Sequence, residues 1–326
     1  MAVPRRRALV LALALSAGAA SGARPPPPRS FSEGLEARAE ATATAVVALR
    51  SPAPARVFVA GGTFQMGSTQ KEVQAAARMC ELEWNPVLCA LVEENFQVEV
   101  PSHMVTVSPF WLDRTEVTVE AYGRCASIGA CTPAGFPPFD PRYDRPELPV
   151  THVTWAEAKD YCAFAKGRLP TEAEWELAAR GESRADGTTT ARMFPWGNVY
   201  NPHVCNHGSA ATGDPTDATD GYVGLAPAGA LRDGATPLGL LDMAGNAAEW
   251  VEDTIDEVQR APGGRGFAPY PAKPQTNPVV TKGSHHVARG GSWRTPSWTT
   301  RGAARAALLG EVRRADVGFR CAYDVR

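Results

Sequence analysis

Residues 151–181 read THVTWAEAKDYCAFAKGRLPTEAEWELAARG, and two helix starts are written into them. Thr154 with Glu157 and Thr171 with Glu174 have the spacing of capping boxes, in which the threonine hydroxyl accepts the third residue's N–H and the glutamate returns to the threonine N–H. Gly167 and Gly181 stand where helices stop. The stretch predicts helices over about 155–166 and 172–180. Trp155, Ala158, Cys162 and Ala165 recur at helical spacing, which turns Cys162 into the core. A third helix is expected from Val119 to about Ala126.

Outward from these helices the pattern changes to short strands in long connections. VFVAGG and TFQMG (57–66), HMVTVSPFWLD (103–113), VARGGSW (287–293) and VGFRCAY (317–323) have strand composition. Residues 182–286 are rich in Gly, Pro, Asp and Thr with almost no periodicity. So long a loop inside one domain normally carries function or is stapled by metals or disulfides.

The chain has 326 residues, 44 % hydrophobic, with a formal net charge of -2. That balance gives no field to attract nucleic acid, which is excluded as a partner. MAVPRRRALVLALALSAGAASGA has the arginines, short apolar run and small residues of a secretory signal peptide, predicted as 1–22. The run is shorter than the ~20 residues that span a bilayer, so no membrane span is expected once it is removed. Residues 23–56, with PPPPRS and SPAPAR, read as a Pro/Ala-rich linker. One folded domain is expected over 57–326, in an exported protein, periplasmic or secreted, and monomeric.

Export makes disulfides the default reading of the seven cysteines. Cys80 with Cys89 and Cys125 with Cys131 close short loops. Cys162, Cys205 and Cys321 remain, and at least one of them is unpaired or paired between chains.

Two loops offer hard oxygen ligands. In CNHGSAATGDPTDATDGY (205–222), Asn206, Asp214, Asp217 and Asp220 lie among glycines, a composition that suits calcium, although Asx-turns are the simpler reading. In LGLLDMAGNAAEWVED (238–253), Asp242 and Glu249 bracket a Gly-Asn turn, with Trp250 expected in the core. His203, Cys205 and His207 are three candidate zinc or copper ligands without a second cluster. No pattern supports His285 and His286, and no nucleophile elbow, phosphate loop or dinucleotide fingerprint is present.

GGTFQMGS, FWLDRTEVT, the 149–181 run, FPWGN, GLLDMAGNAAEW, RGGSW and VGFRCA, in this order over about 57–325, resemble the formylglycine-generating enzyme, or sulfatase-modifying factor, domain family. RLPTEAEWE is the most specific of these motifs. The resemblance implies an α/β (α+β) fold with little regular secondary structure, related to the C-type lectin-like fold. It implies two calcium ions, the first held by Asn206 and Asp220 side chains with His207 and Tyr222 carbonyls. The second would take Asp242 and Glu249 side chains with Gly245 and Ala247 carbonyls. It also pairs Cys162 with Cys321 and leaves Cys205 as the free thiol.

In the oxidases of that family two cysteines after the GGS-aromatic turn hold copper(I). Counted from Gly290-Gly291-Ser292-Trp293, those positions are Thr295 and Thr300 here, and no cysteine lies between Cys205 and Cys321. A hydroxyl is a hard, protonated donor and a poor ligand for copper(I), so copper is not expected. The site around Ser292, Trp293, Thr295 and Thr300 therefore reads as degenerate, with Ser292 and Trp293 in a packed turn. The reading is a pseudoenzyme: a calcium-stabilised module binding a peptide, protein or glycan. The alternatives are a non-haem iron or other oxidoreductase of the superfamily, or last an active formylglycine-generating oxidase. Arg289, Arg301, Arg305, Arg313, Arg314 and Arg320 make the C-terminal region basic; packing and ion pairing are the expected roles, an anionic ligand the other.

Overall fold

The computed structural model describes residues 55–181, 191–208, 217–260 and 264–325. The predicted signal peptide, all but the end of the linker, and Asp214 lie outside these residues. Both predicted capping boxes are formed. Helix α4 (Trp155–Phe164) starts with the Glu157 N–H donating to Thr154 Oγ1 at 3.2 Å while the Thr154 N–H donates to Glu157 Oε2 at 2.9 Å. Thr171 and Glu174 do the same for α5 (Glu172–Arg180). Helix α4 stops at Phe164, short of the predicted end, because Lys166 takes a left-handed φ of 66° and the Gly167 N–H closes on the Cys162 carbonyl at 2.8 Å.

All nine residues of α5 are buried, its charged ones included. A helix with no solvent face must pair its charges internally. It does so: Glu176 meets Arg289 and Arg180, Glu172 meets Arg289 and Arg305, and Glu174 meets Arg168.

Helix α3 (Val119–Ser127) begins at Val119, as predicted, and is capped by Thr118. Two helices were not anticipated, α1 (Gln70–Glu83), capped by Thr69 and Glu72, and α2 (Pro86–Gln97), capped by Asn85. They form a hairpin across which Cys80 and Cys89 are bridged.

The strands are β1 (Arg56–Val59), β2 (Gly62–Met66), β3 (His103–Val107), β4 (Phe110–Asp113), β5 (Ala248–Ile255), β6 (Glu257–Arg260), β7 (Gly264–Phe267), β8 (Gln275–Thr276), β9 (His285–Arg289), β10 (Arg305–Leu308), β11 (Val317–Gly318) and β12 (Ala322–Asp324). They pair in four small sheets, β1-β4-β12, β10-β9-β5-β11, β2-β3-β8 and β6-β7. VFVAGG and TFQMG give β1 and β2, as read, in different sheets. Two predicted single runs are divided between sheets: the 103–113 run breaks at Pro109 into β3 and β4, and the 317–323 run gives β11 and β12. The predicted 287–293 strand ends at Arg289, where the glycine turn begins.

The 182–286 segment, read as loop, contains β5 through β8. Strand β5 is an inner strand of its sheet and almost wholly buried. Val251 and Ile255 pack on one face with Phe64, Leu177 and Val287, and Ala248 and Trp250 pack on the other with Tyr122, Ala288 and Phe319. The fold is thus mixed α and β with small sheets and long connections, as expected. Cys125–Cys131 and Cys162–Cys321 complete three disulfides, a usage that belongs to an oxidising compartment. Among the described residues no helix is long and apolar enough to cross a membrane.

Candidate functional site

Strand β9 runs into the Gly290-Gly291 turn. Gly291 has φ +68°, and a Cβ there would lie 2.6 Å from Thr299 Oγ1 and 2.9 Å from the Thr299 carbonyl, so only glycine fits. The turn folds back onto a 3-10 helix, Ser297–Thr300. Ser292 is fully buried and donates to Asp316 Oδ2 at 3.0 Å, which Arg314 also engages. Trp293 packs with Leu148, Leu225 and Ala247 and donates to the Ala315 carbonyl. These two residues build the turn, as the packed-turn reading expects.

Thr295 is hydrogen-bonded on every side. Its Oγ1 accepts the Ser292 N–H at 2.7 Å and the Thr299 hydroxyl at 2.7 Å, and donates to the Ser292 carbonyl at 3.2 Å. Thr300, the position counted as its partner, is fully buried and donates instead to the Ser297 carbonyl at 2.7 Å, with the Cys205 thiol beside it. The side chain brought to Thr295 is therefore Thr299. The chain's spacing pointed to 300, but the 3-10 turn rotates that residue inward.

A cleft of about 320 Å³ opens in front of this turn. Gly291, Thr295 and Thr299 line one part of it, with Ala304, Ala306 and Leu308. The hairpin α1–α2 buttresses the turn. Glu83 accepts the Ser297 N–H at 3.0 Å, and Trp84 meets Trp298 edge-on with ring centroids 4.7 Å apart.

In the first oxygen set each described residue has its own surroundings. Asn206 is buried, its amide nitrogen donating to the Gly224 carbonyl at 2.7 Å. Asp220 Oδ1 accepts the Tyr222 N–H at 2.9 Å, while Asp220 Oδ2 is buried without a hydrogen-bond partner. Burial pushes that carboxyl above its ordinary range. Asp217 accepts the Thr219 N–H in an Asx-turn.

In the second set Glu249 is already engaged. Arg320 donates to both its oxygens at 2.7 Å, and Trp175 Nε1 adds a third bond at 2.7 Å. Asp242 faces a residue the sequence reading missed, Glu116, buried behind it. Burial first, then Asp242 and Glu249, pushes Glu116 well above the ordinary carboxyl range; its carboxyl lies within hydrogen-bond reach of Asp242, and no N–H or hydroxyl donor reaches Oε2. Burial also raises Asp242. Three carboxyl groups thus face the single guanidinium of Arg320. Asp242 and Asn246 both hold left-handed backbone, at φ 57° and 59°. Gly245 also packs so closely on Asn206 that a Cβ would lie 2.1 Å from its carbonyl oxygen. The EVT of FWLDRTEVT contains Glu116, so the motif was visible but its carboxylate was not connected to Asp242.

The remaining candidates do not converge. His207 hydrogen-bonds Tyr200, His203 meets the Thr219 carbonyl at 2.8 Å, and Cys205 is buried, its thiol pushed up to about 12 by burial. His285 and His286 pack on Phe267 and Trp155 respectively. Among the described residues no three His, Cys, Asp or Glu side chains form a metal-holding group. The six C-terminal arginines are ion-paired within the fold, to Glu176 and Glu172, Glu99, Glu172, Glu157, Asp316 and Glu249 in turn. Their charge is answered internally, against the anionic-ligand alternative.

The family described as "Sulfatase-modifying factor enzyme 1-like domain" matches residues 42–325. The formylglycine-generating enzyme of Thermomonospora curvata is 38 % identical over 187 residues, 56 % of this chain and 57 % of that protein. The inactive C-alpha-formylglycine-generating enzyme 2 of Mus musculus is 43 % identical over 110 residues, 33 % of each. The chain therefore spans about half or less of the length of these curated relatives. The structure of PvdO from Pseudomonas aeruginosa has the same fold, with a TM-score of 0.59 at 23 % identity, covering 84 % of this chain and 95 % of that one.

Proposed function

The chain belongs to the family of the sulfatase-modifying factor enzyme 1-like domain, and from that premise we propose that it is an exported, calcium-stabilised binding module that holds a peptide or glycan in the cleft beside Thr295, without oxidase chemistry. The observation that carries this reading is the state of Thr295. Its hydroxyl is saturated by Ser292 and Thr299 at the edge of an intact cleft. An oxygen so engaged offers no lone pair to a soft metal, and it is the wrong donor for copper(I). A relative whose own name calls it inactive supports the reading that this fold persists without the oxidation.

Calcium fits the first oxygen set: the unpartnered Asp220 Oδ2 and the Asn206 side chain would hold it with the His207 and Tyr222 carbonyls. For the second, Asp242 with the Gly245 and Ala247 carbonyls fits, while Glu249 is held by Arg320 and the open oxygen belongs to Glu116. Calcium bound there would supply charge to offset buried carboxylates and would pin two long loops. The signal-peptide pattern of residues 1–22 and the three disulfides support export, to a periplasm or beyond, and nothing in the reading requires more than a monomer.

Elemental analysis of the purified protein after exhaustive dialysis, run beside oxygen uptake with a sulfatase-type cysteine peptide, tests the proposal. About two calcium per chain and no oxygen uptake are expected. Peptide-dependent oxygen uptake with copper or iron near one per chain would overturn it.

A further inference from the structure

The cleft has an unusual outline. It is lined by all four residues of β10, Arg305, Ala306, Ala307 and Leu308. Successive residues of a strand point to opposite faces of its sheet. A cleft that touches all four reaches the edge of the strand, and it extends over the sheet as well, where Ala288 of β9, Ala248 of β5 and Val317 of β11 line it. Strand β10 is an edge strand, since among the described residues its only sheet neighbour is β9.

The cleft continues over Phe96, Ile255 and Phe267 and over Gly291, Thr295 and Thr299. An antiparallel edge strand turns every second residue's N–H and C=O outward. Exposed edges are normally guarded by lysine, proline, a bulge or an outward charge. Strand β10 is short and carries no lysine or proline. Its one charge, Arg305, is folded away onto Glu172, at 2.7 and 2.8 Å, and over the Tyr270 ring. Ala306 is exposed and Ala307 adds no bulk beside it.

We propose that this edge is the docking strand of the binding site: an extended peptide segment adds beside Arg305–Leu308 as a further strand of the β10-β9-β5-β11 sheet. The proposal rests on the peptide-binding reading above and gives it a mode. Main-chain hydrogen bonds supply affinity, and the two sides of the cleft select alternate side chains. The side chains meeting Phe96, Ile255 and Phe267 are apolar. Those beside Gly291, Thr295 and Thr299 are small, since the turn there is closely packed.

The test selects binders from a phage library of random heptapeptides on the purified chain, then follows backbone amide exchange with one selected synthetic peptide. Protection of residues 304–309 on binding is expected. Ala306→Pro and Ala307→Pro are made as a pair, because proline is tolerated at an edge only where the lost N–H points outward. The variant that keeps the native melting profile should lose at least tenfold in peptide affinity. A peptide that binds with 304–309 exchanging unchanged would overturn strand addition and leave the binding reading standing. A library that yields no binder overturns both. Protection of 304–309 without peptide, accompanied by a dimer in light scattering, would make a second copy the occupant and also overturn the proposal.

Discussion

Asn206 and Asn246 hold each other through backbone and side chain together. The Asn246 N–H donates to the Asn206 carbonyl at 2.7 Å, and the Asn206 amide nitrogen donates to Asn246 Oδ1 at 3.1 Å. Asn246 is also bonded to Ala226 and, through its amide nitrogen, to Glu116 Oε1 at 2.9 Å. One buried amide therefore locks the two oxygen-bearing loops. Asn246→Ala would leave several buried groups unpaired, each worth about 1–3 kcal/mol, so a loss of roughly 3 kcal/mol is expected after partial relaxation. Denaturant titration measures it. A variant within about 0.5 kcal/mol of the parent would show that the loops stand independently.

Glu116→Gln separates metal binding from packing. The amide oxygen keeps the bond from Asn246, and the amide nitrogen replaces Oε2 with a donor aimed at Asp242. Without calcium the variant should be more stable than the parent at pH 8 by about 1–2 kcal/mol, because repulsion among buried carboxylates falls. Calcium per chain should drop from about two to about one. A variant that binds as much calcium as the parent would leave Glu249 as the ligand, with Arg320 displaced.

The parts of the fold that were legible have local chemistry. Thr154, Glu157, Thr171 and Glu174 declare helices through side-chain bonds that need no tertiary partner, and they stand where expected. Strand β5 was not legible because both its faces are buried, so no polar alternation marks it, and its Glu249 and Asp253 are hidden by bonds from Arg320 and from the backbone of Glu172 and Val280. Helix α1 carries a capping box in Thr69 and Glu72, but its buried stripe is only Val73, Ala76 and Cys80. At the site, motif spacing located the turn. It could not show that Thr299 faces Thr295, or that Glu116 stands behind Asp242, because both depend on how distant segments fold over one another.

Asp113 makes stability depend on pH. Burial raises its carboxyl to about 7, the Cys321 N–H and Arg56 only partly offsetting this. The folded protein thus binds a proton that the unfolded chain releases near pH 4, and this contribution is lost as pH rises from about 4 through about 7, on the order of 4 kcal/mol. Asp253, likewise raised to about 7, adds a similar loss. In Asp113→Asn the amide oxygen can keep the Cys321 N–H. The fall in unfolding free energy between pH 5 and pH 8 should shrink by less than half, since Asp253, Glu116, Asp242 and Asp220 remain. An unchanged slope would mean that Asp113 is ionised in the folded protein.

The Cys162–Cys321 bridge joins residues 159 apart in sequence, tying α4 to the segment between β11 and β12. On loop entropy alone its removal costs on the order of 5 kcal/mol, with strain and residual structure reducing that. Cys162→Ala with Cys321→Ala should therefore lower the denaturation midpoint far more than Cys205→Ala. Cys205 should stay silent to thiol reagents at pH 8 until the protein unfolds, because it is buried and its thiolate is disfavoured. Labelling of the native protein would show that the 201–208 loop opens.

The Thr295–Thr299 contact at 2.7 Å decides where a metal-binding pair could be restored. Thr295→Cys with Thr299→Cys places two thiols against each other on the cleft wall. Thr295→Cys with Thr300→Cys follows the family spacing but puts its second thiol in the buried pocket beside Cys205. Under reducing conditions the first pair should bind one copper(I) in competition with a chromogenic chelator, at an affinity at least tenfold above that of the second pair, since thiolates suit the soft ion when both can reach it. Tighter binding by the 295/300 pair would mean that the 3-10 turn rewinds to bring Thr300 to the cleft.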